Sequence, residues 1–335
     1  MKILLTGGMG FIGSHTAVVL LEAGHDVVLY DNLSNADRSV LDRLEIIAGR
    51  RPQFIEGDIR DKAAMTAALR GVDAVIHFAG LKAVGESVHK PIEYFDNNVH
   101  GTLVLLDAMR ETGVSRLIFS SSSTVYGTPE TLPLTEDCPT GKATNPYGRT
   151  KLHIEEILSD VCRAYPDFSA VCLRYFNPIG AHPSGLIGED PNGIPNNLLP
   201  YVARVANGIL PKLRVFGSDY PTPDGTGVRD YIHVMDLADG HAKAVPFVMS
   251  HTGWTAINLG CGRGYSVLEI IRAFESASGK KVPFEVAPRR EGDIAANWAD
   301  PSRAQQLLGW KATRNIDDMC RDAWNFESHK THKSP

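Results

Sequence analysis

Tyr147 and Lys151 stand four residues apart in N-P-Y-G-R-T-K, Asn145 to Lys151, with Pro146 just ahead of them. A proline at a helix start supplies a fixed φ and gives up no needed donor, so the stretch predicts a helix opening at Pro146 with both side chains on one face. An ammonium beside a phenol favours the phenolate and lowers a pKa that is about 10 when free. Such a pair can carry a proton to and from a hydroxyl while a hydride moves elsewhere. Alone, the spacing is equally that of a surface helix. A second stretch adds to it. S-S-S-S-T-V-Y-G, residues 120–127, ends a predicted strand, and the Ser122 hydroxyl there can bond a substrate oxygen and shorten the proton's path.

The hydride needs an acceptor, and the start of the chain offers a place for one. T-G-G-M-G-F-I-G carries Gly7, Gly10 and Gly13 at three-residue spacing, directly after a predicted strand and before a predicted helix. Missing side chains let such a backbone turn tightly and approach a pyrophosphate, which the positive end of the next helix attracts. Asp31 closes the second strand at the distance where a carboxylate accepts both ribose hydroxyls of an adenosine and repels a 2′-phosphate. NAD is thereby favoured over NADP, with nearby Arg38 as the feature pointing the other way. Asp58, at the end of E-G-D, stands where an adenine amino group could be met, and is equally a strand-end turn residue. D-A-V-I-H-F-A-G ends in small residues that let a dinucleotide pass, followed by Gly80 and Lys82.

These groups need a rigid frame. From Lys2 to about Asn177, short apolar runs alternate with amphipathic stretches, which predicts an α/β fold: a Rossmann-type doubly wound parallel sheet covered on both faces. Ligands of such sheets bind at the carboxyl edge, where the glycines, Asp31 and Ser122 all fall. We expect residues 1–178 to form the NAD-binding part, with segments near 230–260 returning to it. Residues 179–330, richer in Pro, Gly and Asn loops, are expected to form mainly a smaller mixed α/β lobe for substrate. The end from about Ser328 reads as polar and frayed. The 335 residues are 43% apolar and 22% charged with a formal charge of -5, which fits an ordinary globular protein and argues against a general nucleic-acid binder. Cys138, Cys162, Cys172, Cys261 and Cys320 show no C-x-x-C spacing, and the first apolar run feeds straight into the glycine loop. Together with the lack of any run long enough to span a bilayer, this places the protein in the cytoplasm, away from membranes.

The glycine loop, S-S-S-S-T-V-Y-G and N-P-Y-G-R-T-K together resemble the extended short-chain dehydrogenase/reductase superfamily. More narrowly, H-F-A-G-L-K-A-V-G-E-S, R-Y-F-N-P-I-G-A-H-P-S-G, G-I-P-N-N-L-L-P-Y, D-G-T-G-V-R-D-Y-I-H-V-M-D-L-A-D-G-H and A-P-R-R-E-G-D resemble the UDP-glucose 4-epimerase family, to about Trp324. The resemblance implies a redox-neutral isomerase of galactose metabolism. Tyr147 would take the proton of the sugar 4-hydroxyl as hydride passes to a tightly bound NAD, and the 4-keto sugar would turn over before hydride returns to its other face. Lys151 would lower the tyrosine pKa, and Ser122 would orient the 4-oxygen. Implied cofactor contacts are Phe11, Ile12, Asp31, Asn32, Asn35, Asp58, Ile59, Phe78, Ala79, Gly80, Lys82, Asn97, Tyr175 and Phe176, with the glycines and the catalytic set. Because the sugar must flip, binding energy should come from the nucleotide. Arg229 and Arg290 match diphosphate ligands, Asp293 a ribose ligand and Phe216 a uracil neighbour, while Lys82, Thr124, Asn177, Asn197 and Leu198 match substrate contacts. Asn297 occupies the position whose bulk governs N-acetylated sugars, and predicts turnover of UDP-N-acetylglucosamine as well. The resemblance also implies a homodimer through helices near Asn98 to Thr112 and Tyr147 to Ala164.

Other readings are weaker. A dehydratase or a decarboxylase could share the scaffold, but elimination needs a positioned acid and base after the strand-end hydroxyl, where Ser123 and Thr124 stand. A non-catalytic NAD-binding regulator has no need of Ser122, Tyr147 and Lys151 together. His233 and His241 lack metal-ligand spacing and read as core or helix-face residues, so no metal is expected.

Overall fold

The computed structural model describes residues 1–290 and 293–330. Strand β1 (Lys2–Thr6) lies at the centre of a seven-stranded parallel sheet, and its residues Ile3, Leu4 and Leu5 are wholly buried. A strand covered on both faces must be apolar throughout, and for that reason K-I-L-L-T does not alternate. Helix α1 (Phe11–Glu22) leads to β2 (Asp26–Asp31), α2 (Val40–Ala48) to β3 (Gln53–Glu56), and α3 (Lys62–Ala68) to β4 (Ala74–His77). After α4 (Val84–His89), α5 (Pro91–Phe95) and α6 (Gly101–Thr112) come β5 (Arg116–Ser122), α7 (Pro146–Ala164) and β6 (Ser169–Tyr175). The sheet order is β10-β6-β5-β4-β1-β2-β3, with β10 (Gly253–Leu259) joining beside β6. Strand order reverses between β1 and β4, which opens a crevice at their carboxyl ends.

Two apolar layers sandwich the sheet. One joins α1, α2 and the sheet to α9 (Val234–Ser250), through residues such as Val18, Leu41, Leu237 and Val245; the other joins α3, α6 and α7 through Met65, Leu105, Met109 and Leu158. The remaining strands form a second body. Strand β7 (Asn177–Ile179) pairs with β9 (Val228–His233), which also pairs with β11 (Gly264–Ser266) and β13 (Ala296–Asn297), while β8 (Leu213–Phe216) pairs with β12 (Phe284–Ala287). Helices α8 (Leu198–Ala206), α10 (Val267–Ser278) and α12 (Ile316–His329) cover them with Val202, Phe274 and Met319, and α11 (Ser302–Leu308) lies against α9 and β10. Of the segment near 230–260, β9 stays in the smaller sheet, whereas α9 packs on α1 and β10 completes the large one.

Two differences from the sequence pattern have local causes. The helical run starting at Asn98 begins as a π-helix over Asp96–His100, where Asn98 turns inward to bond the chain after β4. The chain end stays helical through His329, because α12 still buries Phe326 and Glu327 in its last turns. Residues 331–335, the rest of the stretch expected to fray, lie outside the described residues.

Candidate active site

The glycine loop closes β1 onto α1. Gly7 has φ +67°, its N–H donates to the Tyr30 carbonyl at 2.8 Å, and a Cβ there would stand 2.7 Å from the Ala79 nitrogen. A Cβ on Gly13 would stand 2.4 Å from the Gly7 carbonyl oxygen, so neither position accepts a larger residue without moving backbone. Gly10 is the N-cap of α1 and brings no side chain to cap it. The first-turn amides of a 12-residue helix are thus left for an outside acceptor, which fits a pyrophosphate.

Asp31 ends β2 beside this loop. Its carboxylate accepts from Met9 N at 3.0 Å and from Leu33 N at 2.9 Å. Burial raises its pKa, and the amides of Leu33, Met9 and Asn32 oppose the rise. Asn32 donates to Asp58 at 3.3 Å, and Arg60 holds the Asp58 carboxyl well below its usual range. Asp58 lies two residues beyond the end of β3. Arg38, the residue pointing to NADP, is taken up by Glu56. Phe78, Ala79 and Gly80 follow β4, and a Cβ on Gly80 would stand 3.2 Å from Asn98 Oδ1, the oxygen that also accepts from Asn97 at 2.9 Å. Phe11 turns its ring edge to His15, Ile12 packs into the sheet core, Ile59 is buried under Gly101, and Asn35 accepts from Asn192 at 3.3 Å.

Ser122, Tyr147 and Lys151 converge across the crevice from these groups. Asn145 caps α7 by accepting from Gly148 N at 2.9 Å, and Pro146 occupies the first turn. Ser122 Oγ accepts from Thr124 N at 3.3 Å and sits close enough to the Tyr147 phenol to lower its pKa. Burial is the larger influence and raises it. Lys151 Nζ donates to the Ser120 carbonyl at 2.7 Å and lies 5.9 Å from the Tyr147 ring centre. Burial pulls Lys151 itself down to about 8. Tyr175 donates to Ser120 Oγ, Phe176 is buried in an apolar cluster with Val125 and Leu152, Asn177 opens β7, and among the described residues Thr124 Oγ1 is buried without a partner.

The second body supplies a cationic, aromatic wall. Arg290 lies 4.9 Å from the Phe216 ring centre and bonds Asp293 at 3.0 Å, and Arg229 reaches the same carboxylate at 3.8 Å. Asn297 pairs in register with Arg229, is buried, and leaves Oδ1 without a partner among the described residues. Asn197 precedes α8 and donates to Glu189 at 2.5 Å, and Lys82 reaches the same oxygen at 3.0 Å. Leu198 packs into the core of this body.

Sequence reasoning missed Glu189, Asn98 and the pair Glu155–Arg174. Asn98 donates to Thr150 Oγ1 at 3.0 Å, and Thr150 donates to the Tyr147 carbonyl at 2.7 Å, tying the chain after β4 to α7. Glu155 binds Arg174 at 2.6 Å and Ser121 at 2.5 Å, directly behind Lys151 and Ser122. Glu155 follows Lys151 by one helical turn, a spacing that could have drawn attention to it. Glu189 carried no local pattern.

The family model described as GDP-mannose 4,6 dehydratase matches residues 4–323. The UDP-glucose 4-epimerase of Erwinia amylovora is 57% identical over 330 residues, covering 98% of each chain. That of Bacillus subtilis is 58% identical, covering 98% of this chain and 97% of its own. The chain belongs to the UDP-glucose 4-epimerase family. A crystal structure of the Bifidobacterium longum UDP-glucose 4-epimerase in complex with NAD+ and UDP superposes with a TM-score of 0.95 at 55% identity, over 98% of each chain. The Stenotrophomonas maltophila UDP-glucose-4-epimerase, with NAD and formylated UDP-arabinopyranose bound, gives 0.96 at 52% identity, again over 98% of each. The doubly wound α/β fold of this epimerase family is therefore that of the described chain.

Proposed function

We propose that the protein interconverts UDP-glucose and UDP-galactose at sugar C4, serving galactose metabolism. The observation that carries this reading is the convergence of Ser122, Tyr147 and Lys151 on the sheet edge that also holds the glycine loop and Asp31. NAD fits that loop, with Gly7, Gly10, Gly13 and Asp31 as its nearest holders, and when bound it supplies a hydride acceptor that can return what it takes. The chain's own residues handle the rest. Tyr147 takes the proton of the 4-hydroxyl and returns it, with Ser122 bonding the same oxygen. Lys151, charged, buried and 5.9 Å from the Tyr147 ring centre, favours the phenolate.

Sugar inversion asks for a firm hold on the nucleotide and a loose one on the hexose. Phe216, Arg229, Arg290 and Asp293 form the firm part, since planar guanidinium groups suit a diphosphate. Ser123 and Thr124 follow Ser122 with no carboxyl between them, which speaks against the elimination named in the matching family model. A side chain as small as Asn297, at the position whose bulk governs N-acetylated sugars in the family, supports UDP-N-acetylglucosamine as a further substrate. Asn297→Tyr is expected to abolish its turnover and spare UDP-glucose.

Ile92 is 80% exposed and Leu103 46%, and with Phe95 and Val99 they line an apolar groove on α5 and α6. Such a face supports a homodimer built on these helices and α7, to be checked by light scattering. No helix among the described residues is long and apolar enough to cross a membrane. The five cysteines are all free thiols, which supports a cytoplasmic location. The direct test is purified protein with UDP-galactose and no added cofactor. Formation of UDP-glucose supports the reading, and consumption of UDP-glucuronate alone would replace it.

A further inference from the structure

Glu189 lies in the loop between β7 and α8, just past the bridge of Ala181 with Gly188, yet its side chain is only 8% exposed. One of its oxygens, Oε1, accepts both Lys82 Nζ at 3.0 Å and Asn197 Nδ2 at 2.5 Å. Lys82 comes from the chain after β4 and Asn197 from the second body, so the carboxylate spans the cleft between them. Asn197 is the N-cap of α8, where an asparagine ordinarily turns its side-chain oxygen to the helix amides. Here it makes no cap hydrogen bond and its amide goes to Glu189 instead. A local helix preference is thus given up for a contact in the cleft, a pattern typical of functional positions. Both bonds go to Oε1, which leaves Oε2 outside this pair of contacts.

We propose that Glu189 sets the charge selectivity of the sugar pocket, admitting neutral hexoses and rejecting UDP-sugars with a carboxylate at C6. This rests on the reading of Lys82 and Asn197 as substrate contacts. Lys82 alone would draw a uronate into the pocket, and Glu189 cancels that attraction. A hydroxymethyl group can donate to the second carboxylate oxygen, whereas a uronate carboxylate has no proton to give and is repelled by the like charge. Specificity of this kind is a difference between two affinities, made partly by a built-in repulsion.

The test is inhibition of UDP-galactose turnover by UDP-glucuronate and, separately, by UDP. Glu189→Gln should tighten UDP-glucuronate about tenfold and change UDP by less than about twofold. In Lys82→Met/Glu189→Gln the gain should vanish, because the ammonium that recruits the uronate is gone. Glu189→Asp keeps the charge and should keep the wild-type preference. Parallel shifts for UDP and UDP-glucuronate, or no shift, would overturn the proposal in favour of a merely structural carboxylate. Calorimetric titration of UDP-galactose and UDP-glucuronate into the same variants, as purified, separates this from the epimerase reading. That reading fails if the wild type binds UDP-galactose without turning it over, while the change in relative affinity still decides the role of Glu189.

Discussion

Lys151 is where function and stability pull apart. The residue is 5% exposed, and burial lowers its pKa from 10.5 to about 8, with Cys172 and Glu155 opposing. Holding that proton inside the fold at neutral pH costs roughly 3 kcal/mol. Lys151→Met keeps the aliphatic stem and removes the charge. Against the relief stand the bond to the Ser120 carbonyl at 2.7 Å and the contact with the Phe119 ring at 4.8 Å. These are worth about 1 kcal/mol each, which leaves the variant about 1 kcal/mol more stable at pH 7. The sign reverses with pH. Below about pH 8 the folded and unfolded lysine are both protonated and the cost is present in full. Between about 8 and 10.5 the folded state gives up its proton first, so the wild type gains roughly 3 kcal/mol on the variant. Thermal unfolding of both proteins stripped of nucleotide, from pH 7 to 10.5, should show the melting difference swing by about 4 °C against the variant. A variant that melts lower at pH 7, or a difference that ignores pH, would refute the reasoning.

Gly13→Ala puts a Cβ 2.4 Å from the Gly7 carbonyl oxygen, whereas Gly85→Ala in α4, outside the loop, meets nothing within 4 Å. NAD released from denatured protein should be nearly absent for the first and substantial for the second; equal content would discard the cradle argument. Glu155→Ala strands the Arg174 guanidinium, 4% exposed, and should cost about 3–5 kcal/mol in urea unfolding. Replacing both partners with apolar residues should recover most of it, and failure to recover would assign the loss to packing. Asp31→Ala removes acceptors from Met9 and Leu33 and should raise the NAD dissociation constant at least about tenfold, read by fluorescence titration.

Much of the scaffold is legible in the sequence. Buried parallel strands are written as unbroken apolar runs, so K-I-L-L-T and A-V-I-H stand out, and Pro146 with Asn145 marks the start of α7 on physical grounds. The glycine loop, Asp31, Ser122, Tyr147 and Lys151 can be found because their types and spacing are tied to strand ends. The rest depends on distance in the fold. Arg174 and Glu155 are 19 residues apart, and Lys82 and Glu189 are 107 apart, so no periodicity joins them. The bond of Lys151 to the Ser120 carbonyl is likewise invisible in Y-x-x-x-K, because it is set by packing between α7 and β5. Short helices such as α4 and α5 escaped notice because they hold too few turns for a helical period to emerge.

The central claim is that Tyr147 moves the proton at the sugar 4-oxygen. Tyr147→Phe keeps the ring and removes only the hydroxyl, so the fold and the NAD content should be unchanged. The measurement is turnover of UDP-galactose by this variant beside the wild type, with NAD content measured on the same preparations. The account predicts full NAD content and a rate down by at least about 100-fold, the usual scale of general acid–base catalysis. A variant that holds NAD and still converts UDP-galactose at close to the wild-type rate would contradict it.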